Sequence, residues 1–162
     1  MRPDLDSLYR ENAKRLAVLA FQLTGDHALA EDVVQETFVA AHKGISAFRG
    51  EAEPSTWLYR IALRVSARLR EKARRQRGSV LREEDAQARG GSGDDVEEML
   101  RALDALSEKH RVVLSLMNLR ELSVAHVAAV LGIPEGTVWS RASMARKRMR
   151  ALMREREAVG GG

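Results

Sequence analysis

Residues 123–153 place apolar side chains at helical spacing on both sides of a short turn, and few folds accommodate that pattern. Val124, Val127, Ala128 and Leu131 come first, then Gly132-Ile133-Pro134-Glu135-Gly136, then Val138, Ala142, Ala145, Met149 and Leu152. The last five step by four, three, four and three residues, a narrow buried stripe on one helix. Glycine and proline punctuate the middle. The segment reads as a short helix, a tight turn and a longer helix ending near Met153.

That longer helix is strongly basic. Between residues 136 and 156 there are seven cations (Arg141, Arg146, Lys147, Arg148, Arg150, Arg154, Arg156) and one acid, Glu155. Arg146 with Arg150, and Arg150 with Arg154, stand four apart, where like charges cost an isolated helix roughly 0.2–0.5 kcal/mol per pair. A polyanion would relieve that repulsion. A solvated basic face is the plain alternative, but the preceding short helix and turn favour a helix-turn-helix. In that motif the start of the second helix enters the major groove. This puts Thr137, Trp139, Ser140, Arg141 and Ser143 near bases, and Arg146, Lys147 and Arg150 near phosphates.

The rest of the chain has the same helical character. Aromatics are scarce at 4%, and only three prolines occur among 162 residues, which favours helix over sheet. The expectation is an all-α fold of two small helical domains, 1–76 and 96–156, joined by a flexible linker over 77–95. A disordered tail is expected over 157–162. A first helix carries Leu5, Leu8, Ala13, Leu16, Leu19, Ala20 and Leu23, and Gly25-Asp26 ends it and caps the next. In the second helix Ala30, Val33, Val34, Thr37, Phe38 and Ala41 form one stripe, closed by Gly44. Ser55 or Thr56 is the expected cap of a third helix whose inner face is Trp57, Leu58, Ile61, Val65 and Leu69. The linker holds ARGGSGDD and an acidic run, Glu83, Glu84 and Asp85. In the second domain Met99, Leu100, Leu103 and Leu106, then Val113, Leu116 and Leu119, resume the helical period.

The third helix is basic too. Arg60, Arg64, Arg68, Lys72 and Arg75 form a ladder at nearly four-residue spacing, and residues 60–77 hold eight cations against Glu71. Trp57 and Tyr59 stand at its start, where aromatics beside cations suit unstacked bases. Trp57 is equally suited to the core. The second helix turns an acidic face outward (Asp32, Gln35, Glu36 and apolar Val39), which spacing alone reads as solvated.

Other chemistries find little support. The chain has no cysteine, which excludes disulfides and thiolate metal sites. His27, His42, His110 and His126 form no i, i+4 pair, and no phosphate loop or nucleophile motif is present. Asp94, Asp95 and Glu97 lack a rigid frame for a metal. No catalysis, cofactor or metal is expected. Without a leader or a long apolar run, a cytoplasmic location is the default.

Together these segments resemble the extracytoplasmic-function (group IV) sigma factors of bacterial RNA polymerase, in the sigma-70 family. AEDVVQETF (residues 30–38) is similar to the family's motif in sigma domain 2, and FRGEAEPSTWLYRIA (48–62) to its promoter-melting segment. LRALDALSEKHRVVLSL (100–116) and ELSVAHVAAVLGIPEGTVWSRASMARKRMR (121–150) are similar to sigma domain 4. The resemblance implies roles that spacing does not give. Asp32, Gln35, Glu36 and Val39 would dock on the β′ clamp helices of the polymerase core, and domain 4 would meet the β flap. Phe48, Arg49, Gly50 and Glu51 would belong to the loop that captures a −10 base, with Trp57, Arg60, Arg64 and Arg68 on the melted-strand surface. The helix from Thr137 would read the −35 element in duplex promoter DNA, and an anti-sigma factor is an implied partner.

The chain departs from the family at several points. Arg64 and Arg68 stand where Asn and Asp are common, and His126 replaces the usual Glu of the first helix in the helix-turn-helix. Ser107 stands where Pro is usual. A conventional dimeric helix-turn-helix regulator is the alternative, but residues 1–76 resemble neither a dimerisation nor a ligand domain. A metal-dependent nuclease is a more distant one.

Overall fold

The computed structural model describes residues 2–77 and 94–160. The acidic run of Glu83, Glu84 and Asp85 lies outside the described residues. Among the described residues there are seven α-helices, one short 3₁₀ turn and no strand, so the expected all-α fold is found.

Three helices build the first half: α1 (Leu5–Thr24), α2 (His27–Gly44) and α3 (Pro54–Arg77). The Asp4 carboxylate caps α1 by accepting from the Asp6 N–H. Gly25 ends the helix with φ 69° and returns its N–H to the Phe21 carbonyl at 2.7 Å, a left-handed stop that glycine adopts without strain. Asp26 then caps α2, accepting from the Leu29 N–H at 3.0 Å. The 3₁₀ turn Ile45–Ala47 follows.

Helix α3 begins at Pro54, ahead of the expected Ser55 or Thr56 cap. Proline suits the first helical position because its missing N–H would have no partner there. The Glu53 carbonyl accepts from the Trp57 N–H, and Thr56 is buried instead of capping. Leu16 and Leu19 of α1, Val33 and Ala41 of α2, and Leu58, Ile61 and Val65 of α3 share one core. Several polar side chains are buried with it, Asn12 and Thr37 among them. Asn12 Nδ2 donates to the Leu8 carbonyl, and Thr37 Oγ1 to that of Val33, so each satisfies itself on its own helix.

The second half holds α4 (Asp94–Ala105), α5 (Glu108–Met117), α6 (Val124–Leu131) and α7 (Glu135–Gly160). Ser107 caps α5 and Ser123 caps α6 through their hydroxyls. Gly132, at φ 65°, makes the turn into α7. Leu100, Leu103, Val113, Leu116, Val127, Val138, Ala142 and Ala145 form the core here. Arg111 is buried among them, and its Nη1 donates to the Leu106 and Asp104 carbonyls at 3.2 and 3.3 Å. It thereby supplies partners to carbonyls that a helix C-terminus leaves open.

Helix α7 continues to Gly160, so residues 157–160 of the expected tail are helical. Glu155, Arg156, Glu157 and Ala158 are good helix formers, and nothing stops the helix where its apolar stripe ends.

The two halves meet along α3 and α6, with α1 against α4 and α5. Arg15 pairs with Glu121 at 2.6 Å and Arg70 with Asp104 at 2.7 Å. Asn118 Nδ2 donates to Gln22 Oε1 at 3.2 Å.

Candidate nucleic-acid and protein interfaces

The outer face of α2 exposes Asp32, Gln35 and Val39, while Glu36 is half-buried. The inward set of Ala30, Val33, Thr37 and Ala41 is buried, so helical geometry alone turns these four outward. Glu36 also pairs with Arg68 of α3. One contact therefore joins the acidic face to the basic ladder. Tyr9 of α1 is exposed beside this region and sets its ring edge-on to Phe38 at 4.9 Å.

The loop between the 3₁₀ turn and α3 is anchored by Phe48. Its ring lies 5.0 Å from that of Trp57, and its N–H donates to the Ile45 carbonyl. Arg49, Gly50 and Glu51 are exposed, and Gly50 has φ 77°. Trp57 is half-buried and packs on the core. Between α2 and α3 runs an open groove of about 470 Å³ lined by Trp57, Ile61, Arg64 and Arg68. It is apolar at its floor and cationic along one rim.

Tyr59 does not share this surface. It is 0% exposed, at the seam between the halves, with its ring edge-on to that of His126. Burial pushes its phenol above the usual value, and the nearby Arg15 guanidinium offsets part of that. The ring is therefore closed to a stacked base. Sequence alone could not separate it from Trp57, two residues away.

The basic ladder is more engaged than its spacing implies. Arg60 Nη2 donates to the Ala129 carbonyl at 2.6 Å, and Nε to that of Val130 at 3.3 Å. Ser55 Oγ and His126 Nε2 are 3.3 Å apart. A cavity of about 420 Å³ is lined by Glu51 and Glu53 of the loop, by the cap residue Ser123 and by His126 of α6. At the far end, Glu71 binds Arg74 and Arg75. Arg74 first and Arg75 after it hold the Glu71 carboxyl below its ordinary value. Arg64 has no ion pair among the described residues and is exposed.

In α7 the expected reading residues divide. Trp139, Ser140, Ser143, Arg146, Lys147 and Arg150 are exposed, whereas Thr137 and Arg141 are half-buried. Arg141 adjoins the buried stripe of Val138, Ala142 and Ala145. Met144, which the periodicity left out, is exposed. Among the described residues, no group of three or more His, Asp or Glu side chains is placed to hold a metal ion. No described helix is long and apolar enough to cross a membrane.

The family profile for sigma-70 region 2 matches residues 8–76, and that for sigma-70 region 4 matches residues 96–149. The ECF RNA polymerase sigma factor SigL of Mycobacterium tuberculosis is 35% identical, covering 92% of this chain and 88% of its own. The RNA polymerase sigma-H factor of Pseudomonas aeruginosa is 32% identical, covering 93% and 88%. Among solved structures, CnrH in complex with the cytosolic domain of CnrY aligns with a TM-score of 0.70 at 27% identity, over 93% of this chain and 88% of that one. The sigma factor RpoE of Bartonella quintana, in complex with the anti-sigma factor NepR, aligns with a TM-score of 0.65 at 26% identity, over 91% and 97%.

Proposed function

The chain belongs to the extracytoplasmic-function sigma factors of the sigma-70 family, and we propose that it directs a bacterial RNA polymerase to its promoters by reading two DNA elements with its two halves. Residues 8–76 bind the polymerase core and the melted −10 strand, and residues 96–149 bind the −35 duplex. The observation that carries this reading is the groove between α2 and α3, where Trp57, Arg64 and Arg68 line a half-apolar cleft and Trp57 packs on Phe48 of the preceding loop. An unstacked base needs a flat apolar wall, and its phosphate needs a cation. Stacking on an aromatic side chain is worth roughly 1–3 kcal/mol per base, comparable with the few kcal/mol that unpairing costs.

The exposed acidic face of Asp32, Gln35, Glu36 and Val39 takes the β′ clamp of the core enzyme. An acidic face suits a protein partner because it repels DNA. The start of α7 reads base edges, and Arg146, Lys147 and Arg150 hold phosphates. The protein acts by binding, in the cytoplasm where the polymerase works, and performs no covalent step itself. Two similar solved structures are complexes with CnrY and with the anti-sigma factor NepR, and an anti-sigma partner is proposed for this chain as well. In the closed arrangement Arg60 is committed to α6, so its engagement with DNA requires the halves to part along α3 and α6.

Gel shift and transcription with reconstituted enzyme test this reading. The chain with core polymerase should form a promoter complex and start transcripts at a defined position. Tight duplex binding by the chain alone, as a dimer, would support a conventional regulator instead.

A further inference from the structure

Two large apolar side chains in the first three turns of α7 are largely open to solvent: Trp139 is 54% exposed and Met144 60%. With about 100° per residue, the buried stripe of Val138, Ala142 and Ala145 defines one side of the helix. Gly136, Ser140, Ser143 and Lys147 centre the opposite side, and all four are exposed. Trp139 flanks that central strip on one side and Met144 on the other. Exposed cations continue both flanks toward the C-terminus, Arg146 and Arg150 beyond Trp139, and Arg148 beyond Met144.

This cross-section fits a major groove about 12 Å wide. Glycine and serine at the centre allow close approach to the groove floor. Cations on both flanks face the two phosphate backbones, and the apolar side chains share those flanks nearer the start of the helix. No arginine occupies the central strip in the first two turns, and Arg141 is half-buried beside the core stripe. The first two turns therefore place no arginine at the centre of the groove-facing strip, where guanine would be chelated. The only apolar group on the groove floor is the C5-methyl of thymine.

We propose that Trp139 and Met144 read thymines of the −35 element through their C5-methyl groups, making A·T pairs the specificity determinants at the two edges of the serine strip. The proposal rests on α7 being the −35 reader, and it adds the base and the atom that are read. Met144, which the helical period left out, becomes a specificity residue.

The test uses the full chain reconstituted with core RNA polymerase and a duplex library randomised across the −35 and −10 segments. Selected promoters are resynthesised with deoxyuridine for each −35 thymidine in turn, which removes only the methyl group, and are ranked by competition binding. Wild-type holoenzyme should bind about fourfold less tightly for each contacted methyl removed. Trp139→Ala and Met144→Ala should each become insensitive to uracil at one position, and both are exposed enough to leave the helix intact by circular dichroism. A clear −35 preference with no uracil sensitivity overturns the methyl proposal alone. Selection that yields no −35 preference overturns the assignment of α7 as well. If Trp139→Ala instead loses core polymerase in a DNA-free pull-down, the patch is a protein-docking surface and the proposal falls. The uracil measurement on wild type stands even if a variant misfolds.

Discussion

Arg60, on the basic face of α3, donates a 2.6 Å hydrogen bond to the carbonyl of Ala129 at the end of α6. The last carbonyls of a helix carry partial negative charge, and a cation there is worth roughly 0.3–1 kcal/mol when exposed. Arg60 thus finds in α6 a weak substitute for a phosphate, and a guanidinium cannot serve both at once. The seam adds Arg15 with Glu121 and Arg70 with Asp104. All are partly exposed, so each contributes at most about 1 kcal/mol. Beside the packing of Tyr59 on His126, the polar part of the seam is therefore a set of weak ties that a stronger partner can displace.

Reversing the charges at two of these ties, Glu121→Arg with Asp104→Arg, should open the molecule without touching the expected DNA contacts. Each change sets like charges against Arg15 or Arg70. Small-angle X-ray scattering should give a larger radius of gyration with unchanged helicity. An unchanged radius would mean that the ion pairs do not hold the seam.

Asp32→Ala combined with Gln35→Ala should weaken binding to core polymerase while leaving the thermal melt in place, because both side chains are exposed and outside the Val33–Thr37 packing. A pull-down with normal core affinity would reject the docking role. Glu36→Ala should behave differently, since it also releases Arg68. Its effect should include a shift in −10 preference, read by transcription from promoter variants.

Arg111→Met should destabilise the second half by about 1–3 kcal/mol, the range for leaving buried polar groups unsatisfied. The Leu106 and Asp104 carbonyls lose their donor while the apolar volume is kept. Chemical denaturation followed by circular dichroism measures it, and a midpoint equal to wild type would show that water replaces the guanidinium without cost.

Arg111 also marks where reading the sequence falls short. The apolar stripes of α2 and α7, the Gly25-Asp26 boundary and the turn at Gly132 were all legible, because each depends on neighbours in the chain. Periodicity counts only apolar residues, so the buried Asn12, Ser66, Arg111 and Ser115 escaped it. Residues at the seam escaped for another reason. Tyr59 and Arg60 are partnered by residues 67 to 70 positions away, and no local pattern encodes such a contact. Arg141 was grouped with its exposed neighbours because charge suggests a surface position, yet its place beside Ala142 leaves it half-buried.

The loop at 48–53 supports the last prediction: exchanging it for another family member's should change which −10 base is preferred and leave the −35 preference alone. Its ends are held independently of its tip. Phe48 packs on Trp57, and Glu53 leads directly into α3 through the Trp57 N–H. Between them Arg49, Gly50 and Glu51 are exposed, while Trp57, on which Phe48 packs, lines the groove together with Arg64 and Arg68. A scaffold with fixed ends tolerates a new tip. The graft should keep Phe48 and a glycine at position 50, whose φ of 77° would strain any other residue. Permanganate footprinting and transcription from −10 variants provide the readout. A graft that folds, binds core polymerase and keeps the parental −10 preference would move specificity to Trp57, Arg64 and Arg68 on α3.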